Sequence, residues 1–127
     1  FGDNLADDPC IDDFVQAGGK LMMDHGMDDP LIPTDGTIDY YRKLVQHFGG
    51  KAAVDAFCRL YINPGDNHGN CWGNGPGITQ SDGMKALVDW VEHGIAPTKL
   101  YKVRIHPKTG AILEEGQAVP FEEPEIL

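Results

Sequence analysis

Two short apolar runs constrain this chain most. Leu21-Met22-Met23 follows Gly18-Gly19-Lys20 and stops at an acidic loop, and residues 56–62 stop at Asn63-Pro64-Gly65. Runs this short, bounded by turn residues, predict buried strands. Between them Ile38, Tyr41, Leu44, Val45 and Phe48 recur at spacings of three and four, which places them on one helical face. Thr34 is the predicted cap, Gly49-Gly50 the stop, and a further short helix is expected around residues 52–55. Past the second run, Thr79 or Ser81 is expected to cap another helix, with Met84, Leu87, Val88 and Val91 on one face and Gly94 and Pro97 closing it. Leu100, Val103 and Ile105 then alternate with Tyr101, Lys102 and Arg104. With the turn Lys108-Thr109-Gly110, they predict a terminal hairpin over about 100–113, followed by an irregular tail. Strand, loop, helix, strand, loop, helix is the order of an α/β fold with a mostly parallel sheet and flanking helices. Both loops then open onto the same sheet edge.

A length of 127 residues limits the chain to one unit, residues 1–127, and is short for a complete sheet of this kind. The net charge of -10 excludes a broad basic face, so neither nucleic acid nor an anionic membrane is an expected partner. Acidic residues crowd residues 3–13 and 114–125, and both stretches read as solvated charge. No apolar run is long enough to span a bilayer and no signal peptide opens the chain. The start at Phe1 reads as a processed or truncated product. Cys10, Cys58 and Cys71 are an odd number, which in an oxidising compartment leaves one thiol for a partner outside the chain. Cys58 reads as either a buried inert thiol or a bridge partner, and Cys71, in a Gly- and Asn-rich loop, is the candidate for the external bridge.

The two loops carry the chemistry. The acid loop, residues 24–33, is Asp24-His25-Gly26-Met27-Asp28-Asp29-Pro30-Leu31-Ile32-Pro33. The histidine loop, residues 64–77, holds His68 among glycines and asparagines. An imidazole that takes a proton and a carboxylate that fixes its tautomer are two thirds of a serine hydrolase triad. In hydrolases of this sheet type the chain order is serine, acid, histidine. Asp29 and His68 are the candidates, with Asp28 the second candidate for the acid. The chain's one serine, Ser81, lies in Thr79-Gln80-Ser81-Asp82-Gly83, which is neither a Gly-x-Ser-x-Gly elbow nor upstream of the acid, and reads as a helix cap. The nucleophile is therefore expected on another segment. His25 reads as a structural hydrogen-bonding residue that shapes the acid loop; His47, His93 and His106 read as surface residues. His68-Gly69-Asn70-Cys71, with Asp66 and His25, offers metal donors. One unpaired His-x-x-Cys is nevertheless a poor zinc site, and no cofactor is expected. The Gly-Asn-Gly-Pro-Gly stretch lacks the Lys and Ser/Thr of a phosphate loop.

Residues 24–33, Gly36-Thr37-Ile38-Asp39-Tyr40-Tyr41, the segment from Arg59-Leu60-Tyr61 to His68, Gly75-Pro76-Gly77 and Ala86-Leu87-Val88-Asp89-Trp90-Val91-Glu92-His93-Gly94 together resemble the carboxyl-terminal part of the tannase and feruloyl esterase family. The resemblance covers roughly residues 5–100, and the combination is specific where each piece alone is weak. It implies a secreted serine esterase with an α/β-hydrolase fold and an inserted lid, cleaving gallate, hydroxycinnamate or other aromatic esters. On this resemblance Asp29 is the triad acid and His68 the base. The chain is then the carboxyl-terminal portion of the hydrolase, completed by a second segment that carries the serine and lid. The family joins a cysteine beside the serine to one immediately after the histidine; here Gly69 follows His68 and Cys71 lies three positions on. Cys71 is the residue through which a disulfide to that segment would run. The alternatives are a non-catalytic binding fragment and a small metal-binding module.

Overall fold

The computed structural model describes residues 5–123. After a 3-10 turn at Leu5–Asp7 the order is α1 (Asp12–Gln16), β1 (Leu21–Gly26), α2 (Thr34–Phe48), α3 (Lys51–Asp55), β2 (Cys58–Asn63), α4 (Gln80–His93), β3 (Leu100–Ile105) and β4 (Ile112–Ala118). The fold is α/β. β1 and β2 pair in parallel from Leu21↔Cys58 to Gly26↔Asn63, and β3 and β4 form an antiparallel hairpin. The hairpin's exit returns beside β2 through a Tyr61↔Pro120 bridge and a Phe121 N–H to Leu60 carbonyl bond of 2.7 Å.

The pleat of the β1–β2 pair divides the core in two. Cys58 and Leu60 pack with Tyr41, Leu44, Val54 and Phe57 under α2 and α3, joined by Leu21 and Met23. On the opposite face Tyr61, Ile78 and Ala118 pack with Met22 and Leu100. Arg59 also lies on that face, its guanidinium 4.9 Å from the ring centre of Trp90 on α4. The predicted apolar face of α2 forms as read, with Tyr41 and Leu44 buried, and Gly49 closes the helix at φ 86, in the left-handed region.

Several expectations are corrected. β1 runs three residues into the segment read as the acid loop, because Tyr61, Ile62 and Asn63 supply partners for Asp24, His25 and Gly26. β2 begins at Cys58 rather than at residue 56, since Phe57 closes a turn out of α3 onto the carbonyl of Val54. Thr34 does not cap α2; it is the first helical residue, and its hydroxyl donates to the carbonyl of Gly26 at the end of β1. Thr79, not Ser81, caps α4 by accepting from the Asp82 N–H at 3.1 Å. The hairpin extends to Ala118 because Arg104 pairs with Glu114 and the Tyr101 hydroxyl donates to Glu115, which holds two acidic residues in a strand. The acidic start contains a helix, α1, anchored by Ile11 and Val15 on the core and by Asp12 on His47 at 2.7 Å.

Two surfaces have no cover among the described residues. The Met22 and Asp24 backbone groups point away from β2, and no strand lies beside that edge of β1. Along α4, Met84, Val88 and Val91 are exposed at spacings of four and three, and Ile95 continues the stripe just beyond the helix. No described helix is long and apolar enough to cross a membrane.

Candidate active site

Because β1 and β2 run parallel and in register, Gly26 and Asn63 end side by side, and the two loops leave together. The Met27 N–H bonds the Asn63 carbonyl at 3.0 Å and the Asp28 N–H bonds the Asp66 carbonyl at 2.9 Å, lacing the acid loop to the histidine loop. Gly26 permits this approach: a Cβ there would sit 2.2 Å from the Asn67 carbonyl oxygen.

The acid loop then turns back on itself. Asp29 Oδ1 accepts the N–H groups of Leu31 and Ile32 at 2.8 and 3.0 Å. Asp29 Oδ2 lies 2.9 Å from His68 Nδ1 and 3.2 Å from His25 Nε2. The Asp29 side chain is only 4% exposed, whereas that of His68 is 54% exposed. Burial pushes the Asp29 carboxyl up, but the N–H of Ile32, the His68 ring and the N–H of Leu31 outweigh it and bring the pKa down to about 2. An anionic carboxylate only accepts, so His68 donates from Nδ1, and in the neutral ring that tautomer puts the free lone pair on Nε2. Two sequence-predicted residues are thereby brought together in the tautomer that proton abstraction requires.

Asp28 is exposed, and its carboxylate has no partner among the described residues. Ser81 sits exposed in the first turn of α4, its Oγ 3.2 Å from Thr79 Oγ1. The thiols of Cys10, Cys58 and Cys71 are all free. Cys71, at φ 63, is buried, and its Sγ donates to the Gly77 carbonyl at 3.5 Å, while burial pushes the thiol up. Burial also pushes the Cys58 thiol up to about 12, an inert group. Among the described residues no three His, Cys, Asp or Glu side chains are grouped to hold a metal.

The histidine loop is held from behind. Gly77 and Val103 exchange backbone hydrogen bonds of 2.9 Å, and the Ile105 N–H bonds the Cys71 carbonyl at 2.8 Å. Asp66 is buried within the loop with one carboxylate oxygen packed on Gly77, where a Cβ would lie 2.1 Å away. Burial raises its pKa, opposed by the N–H groups of Asn67 and Cys71. His68 opens onto two voids, of about 320 and 480 Å³. Asp24 and Gly69 line both, and Met22, Ile78 and Leu87 give the larger one an apolar wall. From the sequence His25 reads as a loop-shaping residue, and Asp66 enters only beside it as a donor in the weak metal-site alternative. Neither their shared neighbourhood nor its burial has a local signal in the chain.

The depressed Asp29 carboxyl has a measurable consequence. Its folded pKa of about 2 lies below the ordinary 3.8, so its stabilising contribution is complete above about pH 4 and is lost as pH falls through 2. Denaturation midpoints of the native protein are expected to fall over that window by more than those of Asp29→Asn, whose midpoint is already lowered at neutral pH. Parallel curves would show that the carboxylate is not held this way.

Residues 5–120 match the family model described as tannase and feruloyl esterase. Over 87 residues the chain is 41% identical to a mono(2-hydroxyethyl) terephthalate hydrolase of Piscinibacter sakaiensis, covering 68% of this chain and 13% of that protein. Over 89 residues it is 37% identical to a "Probable feruloyl esterase" of Arthroderma benhamiae, covering 70% of this chain and 16% of the relative. The crystal structure of an esterase from Aspergillus oryzae superimposes with a TM-score of 0.76 at 24% identity, covering 90% of this chain and 25% of that one; the likeness is one of fold. The chain thus spans about a quarter or less of the proteins it matches.

Proposed function

This chain belongs to the tannase and feruloyl esterase family, and on that premise we propose that it supplies the acid and base of a secreted serine esterase. It is the carboxyl-terminal portion of an α/β-hydrolase, and the nucleophilic serine and lid lie on another segment. The observation that carries the reading is the 2.9 Å bond from His68 Nδ1 to a buried, anionic Asp29, with the other imidazole nitrogen left as base. The open edge of β1 and the apolar stripe of α4 support the second segment. A partner strand beside Met22 and Asp24 and a packed surface over Met84, Val88 and Val91 would cover both.

In this mechanism the serine hydroxyl attacks the ester carbonyl while His68 Nε2 takes its proton. Asp29 holds the ring and stabilises the imidazolium. As the tetrahedral intermediate collapses, His68 returns the proton to the departing alcohol. A water activated by the same nitrogen then releases the acid from the acyl-enzyme. The names of the relatives point to aromatic esters as substrates. A disulfide through Cys71 would require the loop to turn that thiol outward, and intact mass with and without reductant would reveal it.

The reading is tested on the full catalytic unit with a fluorophosphonate probe and a ferulate or gallate ester. Hydrolysis, with the probe on a serine outside residues 1–127, is the expected result. Binding of the ester without turnover or labelling would leave the chain part of a binding protein and remove the esterase reading.

A further inference from the structure

Asp24 stands beside the dyad and takes no part in it. It is paired with Tyr61 across the β1–β2 ladder and shares a face with Met22, which packs with Tyr61 and Ile78. Its side chain is exposed and lines both voids onto which His68 opens. Among the described residues no hydrogen bond or ion pair reaches its carboxylate. The groups around it do not supply one. Crowding by protein atoms pushes the Asp24 carboxyl upward, Asp66 pushes the same way, and His25 opposes them from the other face of the sheet. Asp29 and His68 line the smaller void with it and are engaged with each other. The Tyr61 hydroxyl donates to the Thr98 carbonyl at 2.7 Å.

The open edge of β1 runs through this residue. The Asp24 backbone groups point away from β2, and no described strand lies beside them. A strand that closes the edge sets its side chains about 4.5–5.5 Å from those opposite on the same face, and it removes water from Asp24. A carboxylate buried without a partner is either protonated or strongly destabilising, so closure requires a donor. The described cations nearby are committed elsewhere. Arg59, on the same face, donates to the carbonyls of Pro97 and Cys58 at 2.8 and 2.9 Å, and Lys102 acts on Asp66. The chain's net charge of -10 makes a basic surface the complementary one.

We propose that the segment closing the β1 edge presents a lysine or arginine to Asp24, so that the joint beside the dyad is an ion pair rather than an apolar seam. This rests on the second segment of the reading above. The pair reverses the direction in which the Asp24 carboxyl is pushed. Within residues 5–123 it is raised above the ordinary 3.8, whereas opposite a cation in the complete unit it is held below that value. A lowered carboxyl contributes stability that is complete above about pH 4 and is lost as pH falls through the folded value. A carboxyl buried without a cation has the opposite sign: it weakens the unit at neutral pH and does so less as pH falls.

The experiment uses the full catalytic unit, whose intact mass first records what accompanies residues 1–127. Melting midpoints of native protein and Asp24→Asn are compared from about pH 3 to 8, with kcat/KM for a neutral ferulate ester and for an ester bearing a free carboxylate. Asp24→Asn keeps the shape and removes the charge. Its midpoint is expected about 5 °C or more below native at neutral pH, with the gap closing toward low pH. Asp24→Glu keeps the charge and should recover most of the midpoint. If Asp24→Asn fails to assemble, an Asp24→Glu unit that assembles and melts near native carries the proposal, and one that fails as well overturns it. An Asp24→Asn midpoint equal to native overturns it too, as does one raised at neutral pH, which marks a carboxyl buried without a cation. An unmoved midpoint with a changed preference between the two esters overturns it by placing Asp24 against substrate. A native protein with no further segment fails the reading beneath the proposal; a second segment with a native midpoint in Asp24→Asn fails the ion pair alone.

Discussion

Replacing His68 with alanine in the full catalytic unit is expected to lower kcat for a ferulate or gallate ester by about 10⁴-fold or more, the range seen when a triad base is removed. The reasoning is local. His68 Nε2 is the free base of a ring whose other nitrogen is fixed on a carboxylate with a pKa of about 2. No other described histidine combines a buried acid with an open second nitrogen: His47 meets an exposed Asp12, and His106 Nδ1 accepts the N–H groups of Lys108 and Thr109 in the hairpin turn. Asp29→Asn should approach the same loss, about 10⁴-fold, because an amide can donate to Nδ1 and hold the wrong tautomer. Substrate binding should change far less than turnover. Hydrolysis within tenfold of native in His68→Ala would remove the base assignment.

Gly26→Ala, a single methyl group outside the dyad, is expected to act nearly as severely. The new Cβ would meet the carbonyl oxygens of Asn67 and Asp66 at 2.2 and 2.3 Å, and both are backbone atoms without a rotamer to yield. The acid and histidine loops would have to separate at the point where the Met27 and Asp28 N–H groups lace them. A displacement near 1 Å at a catalytic pair costs about 100-fold in rate, and overpacking adds about 1–3 kcal/mol of instability. Gly36→Ala provides the control: Gly36 lies in α2 with open space around it, and alanine there should leave activity native and stability unchanged or slightly raised. If Gly26→Ala keeps native kcat and melting temperature, close loop contact is not what sets the dyad.

The parts that were legible in the sequence share a physical cause. Tyr41, Leu44 and Phe48 repeat with the helical period because one face of α2 meets the sheet. That Asp29 and His68 meet was readable because each follows an apolar run, and parallel strands deliver the loops that follow them to one edge. What escaped was set by tertiary pairing. Glu114 and Glu115 look like tail residues until Arg104 is placed opposite the first and the Tyr101 hydroxyl reaches the second. Thr34 has the composition of a cap, but it is the first helical residue and its hydroxyl donates to the carbonyl of Gly26 at the end of β1. The carboxylate contact of His25 depends on Asp29 folding back over β1, and no spacing rule contains that turn.

The bonds from β3 into the histidine loop have a consequence for when, rather than how, that loop is held. Gly77 and Cys71 are tied by Val103 and Ile105, residues that leave the ribosome well after His68. At ordinary elongation rates that interval is of the order of seconds. A nascent chain therefore carries both Asp29 and His68 before β3 can brace the loop that holds the second. An interruption of synthesis between residues 77 and 103 yields a product that contains Asp29 and His68 and lacks the bonds with which β3 holds the histidine loop from behind.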